Sequence, residues 1–373
     1  MELVAHSESR KKKSSENVRM LLRLRTPSII SRIRIYILLI ITPLTLSANN
    51  FEQHISSHLH SRGLKVDQVK NNYAENDTLL FACVVNFQGR YSQTIKLKRM
   101  IEQGILSISR FYPGANILIS YGEIGTKPNL TLPREIKVDV EEFETKSFNE
   151  DGKYTSYGRM KAYAEIIKFE ERKSRPRGII FYDADMLFVG SHFKKIFLDF
   201  KREWAVGLSF RKMEKFPINC GLMLVNHNNL RKGLKFWEKI LSYYGEGSQF
   251  RGKAIRRNDA VADQLATCKV IESLGKYYLK QREHVRKLNS MNNTAILLLP
   301  TKRWNWTPKP MCYIDSRCAV LHFKGNKKVH MTKASKLLFS AADNERNIFL
   351  RKIAELGRNP NNSRHSLKKD CSD

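Results

Sequence analysis

Leu79 to Val85 is an unbroken apolar and β-branched run, and a helical pattern and a second apolar run follow it directly. The first run has the content of a strand. Ser92 to Arg110 has helical spacing, with Ile95, Met100, Ile101, Ile105 and Ile108 apolar. Pro113-Gly114 ends that helix, and Asn116 to Ser120 reads as the next strand. A strand–helix–strand opening implies a parallel sheet with helices packed on it.

The alternation continues. Tyr157 to Phe169 is a helical pattern carrying Met160, Tyr163, Ala164 and Ile167, and Pro176 breaks the basic loop Arg172 to Gly178. Gly178 to Tyr182 is a short continuous apolar run, as expected for a strand buried on both faces. Phe193 to Phe200 reads as a short helix, Ala205 to Phe210 and Gly221 to Val225 as strands, Leu230 to Tyr244 and Val261 to Ile271 as helices. After Ala295 come a strand, a tryptophan-rich loop and a last strand at Ala319 to Phe323.

The ends differ from this body. Nine arginines and lysines from Arg10 to Arg34 precede the apolar run Ile35 to Ala48, which puts the N-terminus in the cytoplasm and the rest in a lumen. A full span needs roughly 20 apolar residues, and the run reaches that only by recruiting Ser28 to Ser31. It reads as an uncleaved signal anchor, or as a signal-peptide core cleaved near Leu46-Ser47-Ala48. The expected plan is a basic tail over 1–34, an anchor over 35–48, a stem over 49–76, a catalytic domain over 77–357 and a polar tail over 358–373. The matching location is a Golgi or ER membrane, single-pass type II with a lumenal domain, or secretion if the run is cleaved. Sequons at Asn76, Asn129, Asn292, Asn305 and Asn361 fit a lumenal chain but arise often by chance.

A chain of 373 residues with 42% hydrophobic content can bury a real core. Its net charge of +30 draws polyanions, and an anionic acceptor or membrane headgroups are both natural partners. Nucleic acid is disfavoured, because the basic residues are scattered and no zinc finger, helix-turn-helix or RNP motif appears. Six cysteines are too few for a disulfide scaffold, although Cys312 and Cys318 are close enough in sequence to bridge; Cys83 reads as buried and unbridged.

Four segments carry chemistry. The run Ile179-Ile180-Phe181-Tyr182 ends in Asp183-Ala184-Asp185. In extended backbone, side chains two apart share a side, and open α/β sheets bind ligands at the carboxyl ends of their strands. Two carboxylates there suit Mn²⁺ or Mg²⁺; the plain alternative is a solvated turn. His322 ends another apolar run and leads His322-Phe323-Lys324-Gly325-Asn326-Lys327-Lys328. A neutral imidazole suits Mn²⁺, Gly325 permits close backbone approach, and Lys328 offers charge to phosphate; otherwise this is a basic surface loop. Asn219, in Asn219-Cys220-Gly221, offers an amide to sugar hydroxyls or belongs to a plain turn. Asp263-Gln264 opens an apolar helix, either to fix a sugar or to cap the helix. Trp304 and Trp306 read equally as a sugar-stacking platform or as core.

Taken in order, Asp183-Ala184-Asp185, Ile218-Asn219-Cys220-Gly221, Asp263-Gln264, Leu299-Pro300…Trp304-Asn305 and His322-x-x-Gly325-x-x-Lys328 resemble the motif series of glycosyltransferase family 8 and its nucleotide-diphospho-sugar transferase relatives. The resemblance covers roughly Leu79 to Lys328. It implies a GT-A-type α/β domain, Rossmann-like, with a mixed, mainly parallel sheet flanked by helices. It implies hexosyl transfer from a nucleotide-diphosphate sugar, with UDP-sugar the expected donor, to a glycan or glycoconjugate, with retention. By the same resemblance Asp183, Asp185 and His322 bind the metal, and Ala184, Gly325 and Lys328 line the donor diphosphate. Arg159 lies near the donor, Tyr91 packs on the nucleotide base, and Asn219, Asp263 and Gln264 surround the transferred sugar. Val329-His330 stand where the family has Pro-Trp, Cys220 replaces a Ser or Ala, and Phe169 to Arg177 is lengthened. The rival readings are a basic nucleic-acid-binding protein and an inactive glycan-binding protein of the same fold.

Overall fold

The computed structural model describes residues 78–85, 91–122, 127–143, 156–199, 203–211, 217–243, 259–271, 283–288, 291–308, 312, 314–341 and 346–355. The expected tail, anchor, stem and C-terminal tail lie outside these residues. Among the described residues no helix is long and apolar enough to cross a membrane.

The expected strand–helix–strand opening forms β1 (Leu79–Val85), α1 (Tyr91–Phe111) and β2 (Asn116–Gly122), with β1 and β2 parallel. β3 (Val138–Phe143) adds parallel to β2. α2 (Ser156–Glu171) leads to β4 (Gly178–Tyr182), which pairs parallel with β1. Then come β5 (Met186–Phe188), α3 (His192–Asp199), β6 (Val206–Phe210), β7 (Ile218–Val225), α4 (Leu230–Ser242) and α5 (Asp259–Val270). β8 (His284–Leu288), β9 (Thr294–Pro300), α6 (Thr301–Trp304), β10 (Val320–His322), α7 (Met331–Ser340) and α8 (Arg346–Glu355) complete the order. The main sheet has eight strands in the order β3-β2-β1-β4-β7-β6-β9-β8. β7 runs antiparallel to both β4 and β6, and β8 to β9; the remaining pairs are parallel.

The central strands are apolar throughout because both faces are covered. In β1, Leu80, Ala82 and Val84 enter one core layer with α2, α4 and α5, while Leu79, Phe81, Cys83 and Val85 enter the opposite layer with α1 and α3. In β4, Ile179 and Phe181 take the first face, Ile180 and Tyr182 the second. This is the period-two consequence of the pleat. Gly178 starts β4 against the Phe197 ring, which an added Cβ would meet at 2.4 Å.

β5 and β10 leave the main sheet and pair antiparallel as a separate ribbon, with Met186 opposite His322. A third cluster of Leu187, Leu321, Phe323, Leu338 and Phe349 backs the ribbon with α7 and α8. The lengthened loop before β4 is fastened by a buried acid. Glu170 pairs with Lys173 at 2.6 Å and Arg177 at 2.5 Å, and also accepts from the Arg177 backbone N–H.

Two alternatives left open by the sequence are decided here. Cys312 is disulfide-bonded, but Cys318 is a buried thiol whose Sγ faces the Val320 carbonyl at 3.4 Å, so these two do not bridge. The tryptophans are no platform: Trp304 and Trp306 are both buried. Trp304 packs on Phe193 and donates to Glu283, and Trp306 joins the third cluster.

Candidate metal and donor site

The Asp183-Ala184-Asp185 turn links β4 to β5, and backbone hydrogen bonds hold it at both ends. Asp183 N–H donates to the Gly221 carbonyl of β7 at 2.9 Å, and the Asp185 carbonyl accepts from Phe323 N–H at 2.8 Å. The second bond extends the β5–β10 ribbon and delivers His322 to the acids. His322 Nε2 lies 3.0 Å from Asp185 Oδ1 and 3.5 Å from Asp183 Oδ2. One ligand atom from each residue falls within 4.8 Å of the others.

Adjacent ligands of an octahedral cation with bonds of about 2.1 Å sit about 3.0 Å apart. The two carboxylates and the imidazole therefore fit Mn²⁺ or Mg²⁺ in chemistry and in spacing. Gly221 makes room: a Cβ there would meet His322 Cε1 at 2.4 Å and Asp183 Oδ2 at 2.7 Å. Burial alone would raise the Asp185 carboxyl, but His322 and Lys328 outweigh it and hold the group well below the usual carboxylate range. Lys328 Nζ reaches Asp185 Oδ2 at 3.0 Å. Ala184 is partly buried against the second core layer. Gly325 has φ +59° and open space where a Cβ would point, which is backbone only glycine adopts at low cost.

A second group of residues adjoins the first through Arg159. Its guanidinium donates to Asp183 Oδ1 at 2.8 Å and also to Asp263 Oδ2. Asp263 is buried; its Oδ1 accepts from the Gln264 backbone N–H at 2.8 Å. Burial pushes its carboxyl above the ordinary value, with Arg159 opposing. Asp263 and Gln264 lie inside α5, which already starts at Asp259, rather than at its opening. They are therefore not the cap of that helix. Gln264 Oε1 accepts from Arg211 at 2.8 Å. Asn219 Oδ1 accepts from Lys324 Nζ at 2.7 Å and from Gly221 N–H at 3.2 Å. Burial lowers the Lys324 ammonium from its ordinary value, opposed by Asp183.

The fold thus brings Arg159, Asp183, Asp185, Asn219, Asp263, Gln264, His322 and Lys328 into one linked set. Tyr91 is the first residue of α1, and the expectation for its ring falls outside the described side chains. Lys324, Arg211 and Ser209 had no assigned role in the sequence, and Asn305 stood in a quoted motif without one. Lys324 sat inside a quoted motif and carried a charge, so it was findable. Asn305 read as a sequon, yet it is buried and its Oδ1 lies 2.8 Å from His322 Nδ1.

These features define an α/β chain with a carboxylate–imidazole cluster at the ends of its strands. No protein-family model and no curated protein sequence matches the chain. The solved structures that overlap it weakly include three that follow. The glycosyltransferase GlyE of Streptococcus pneumoniae TIGR4 shares 12% identity at a TM-score of 0.41, over 73% of this chain and 62% of GlyE. A glycosyltransferase involved in glycosylating the major capsid of PBCV-1 shares 9% at 0.40, over 68% and 98%. Mouse xyloside xylosyltransferase 1 shares 13% at 0.39, over 67% and 98%. Likeness of this degree says nothing about activity.

Proposed function

We propose that this chain is a metal-dependent glycosyltransferase that moves a hexose from a nucleotide-diphosphate sugar, a UDP-sugar in the favoured form, to a glycan or glycoconjugate. One observation carries the reading: two carboxylates from one strand end and an imidazole from a separate ribbon converge at cation spacing, with Lys328 beside them. A divalent cation held there would supply positive charge to a diphosphate leaving group. Asp183, Asp185 and His322 would hold it. Lys328 would exchange its contact with Asp185 for a phosphate oxygen.

On the sugar side, Asp263 would place negative charge near the oxocarbenium-like centre. Both of its oxygens are already engaged, by Arg159 and by the Gln264 N–H. A carboxylate so occupied suits electrostatic support better than general base work, which favours retention. Asn219 and Gln264 would bind sugar hydroxyls, each held in place by a cation of the chain.

The rest of the reading concerns surroundings. We place the domain in the lumen behind a type II anchor, or outside the cell if Ile35–Ala48 is cleaved, and we take its acceptor to be anionic. The motives are the arginine-rich flank and the net charge of +30. Expression through a secretory system should give a mass shift on endoglycosidase treatment; an unshifted cytosolic product refutes the placement. The chemistry is tested by incubating the purified protein with a panel of nucleotide sugars and Mn²⁺. Metal-dependent hydrolysis or transfer that EDTA abolishes supports the reading. Turnover unchanged by EDTA, or no turnover of any donor, counts against it.

A further inference from the structure

His322 presents its ring edge to two acids through Nε2 and to Asn305 through Nδ1. Which nitrogen carries the proton decides whether Nε2 offers a lone pair to a cation. Nε2 faces two carboxylates and bears hydrogen until a cation takes its place; the neighbours of Nδ1 settle whether that nitrogen keeps its own proton. Ser209 Oγ lies 2.8 Å from the Leu222 carbonyl and 3.2 Å from the Asn219 carbonyl. Carbonyl oxygens only accept, so the single Ser209 proton goes to them. Its lone pair then faces Asn305 Nδ2 at 3.1 Å, which donates. That places the amide nitrogen of Asn305 toward Ser209 and its oxygen toward His322. An amide oxygen only accepts, so the ring nitrogen facing it, Nδ1, must bear hydrogen.

We infer that Asn305, oriented by Ser209, is a positioning residue that keeps the proton on Nδ1 of His322, so that Nε2 is the nitrogen left to offer its lone pair to a cation between Asp183 and Asp185. The inference rests on the metal reading above. All three residues of the relay are buried, so bulk water does not compete for their hydrogen bonds. The backbone is fixed as well: Asn305 N–H donates to Thr301 at 2.9 Å, Trp306 N–H to Val320 at 3.0 Å and His322 N–H to Trp306 at 2.8 Å. The segment carrying the amide is therefore laced to the strand carrying the imidazole. The same burial means that the sequon at Asn305 is not open to a glycan in the folded chain.

The test uses the full-length chain labelled with ¹⁵N-histidine. The His322 resonances are assigned by their loss in His322→Ala. In the metal-free wild type at about pH 8, long-range ¹⁵N–¹H correlation should show Nδ1 protonated. Asn305→Leu removes the acceptor: the ring should shift toward Nε2–H, and Mn²⁺ affinity, read by EPR, should fall about 10- to 100-fold. Asn305→Asp restores an acceptor and should keep both the tautomer and the affinity near wild type. If Asn305→Leu fails to fold, Ser209→Ala serves instead, with a smaller change of the same sign in both readouts. A wild-type ring whose Nδ1 bears no hydrogen overturns the inference whatever the metal does. So does a variant that loses Mn²⁺ affinity with its tautomer unchanged, because the role is then packing. An Nδ1–H ring in a wild type that binds no Mn²⁺ overturns the metal reading and, with it, the purpose assigned to Asn305.

Discussion

The two halves of the site are built on opposite plans. On the β5–β10 side, Asp183, Asp185 and His322 turn acceptor atoms toward a common point at separations of 3.0 and 3.5 Å. On the α2–α5 side, each acceptor already meets a donor of the chain: Asp263 with Arg159, Gln264 with Arg211, Asn219 with Lys324. On the proposed function, the first half would be completed by a cation from outside. The second is preorganised, with its charges fixed before any ligand arrives. Arg159 joins them, because it touches Asp183 as well as Asp263.

The comparison is broken most directly at Asp185. Asp185→Asn keeps the shape and removes one charge from the half where we propose a cation binds. Turnover should fall by about 10³-fold or more, with Mn²⁺ binding lost in the same sample. Retained Mn²⁺ affinity in this variant would show that the cluster is not the metal site. Asp263→Asn attacks the other half and should separate the two. Turnover should drop by about 10²-fold, while Mn²⁺ affinity stays within a few-fold of wild type. If both variants lose metal alike, the halves are not independent and Arg159 transmits the damage.

How much of this was legible beforehand depends on where each element lies. β1 and β4 were read at their true positions because strands covered on both faces are continuous apolar runs. β3 and β8 were missed because they are edge strands. Their exposed positions carry Asp139, Glu141 and Glu142 on one edge and Lys287 on the other, with His284 and Arg286 half-buried. Charge on an edge deters pairing with other chains, and it also erases the strand signal. β5 spans only Met186–Phe188, too short for any period to show. Yet β5 is the element that pairs with β10 and brings His322 to the acids, so the motifs named the residues of the cluster without revealing the contact that unites them. Asn305 stood in a quoted motif and in a sequon, but its burial and its contact with His322 are not written in sequence.

Lys328 sharpens the comparison at smaller scale. It belongs to the first half but already contacts Asp185 at 3.0 Å. If its service is to phosphate, Lys328→Ala should raise the KM for the nucleotide sugar about tenfold and change Mn²⁺ affinity little. A rise in Mn²⁺ affinity with unchanged KM would mean that the lysine merely occupies the acid in the absence of metal.

The smallest effect on catalysis belongs to Glu170, which repeats the self-paired plan of the second half away from the chemistry. It is buried, and Lys173 and Arg177 surround it where α2 turns toward β4. Burial alone would raise its carboxyl, but hydrogen bonds from Arg177 and Lys173 outweigh that and leave it below its ordinary value of 4.5. A lowered folded value means that the native state favours the ionised form. The stabilisation is therefore complete above about pH 4.5 and drains away as the pH falls through the depressed folded value. Glu170→Gln keeps the shape and removes the charge. It should cost about 2 kcal/mol near pH 7, less than a fully buried pair because the lysine is partly exposed. The gap to wild type should narrow on acidification below about pH 4, and kcat/KM should stay within twofold at a temperature where both chains are folded. Melting curves at the two pH values check this. A stability gap that is the same at both would mean that the loop is held by packing and backbone bonds, and that self-paired charge in this fold orders residues without stabilising them.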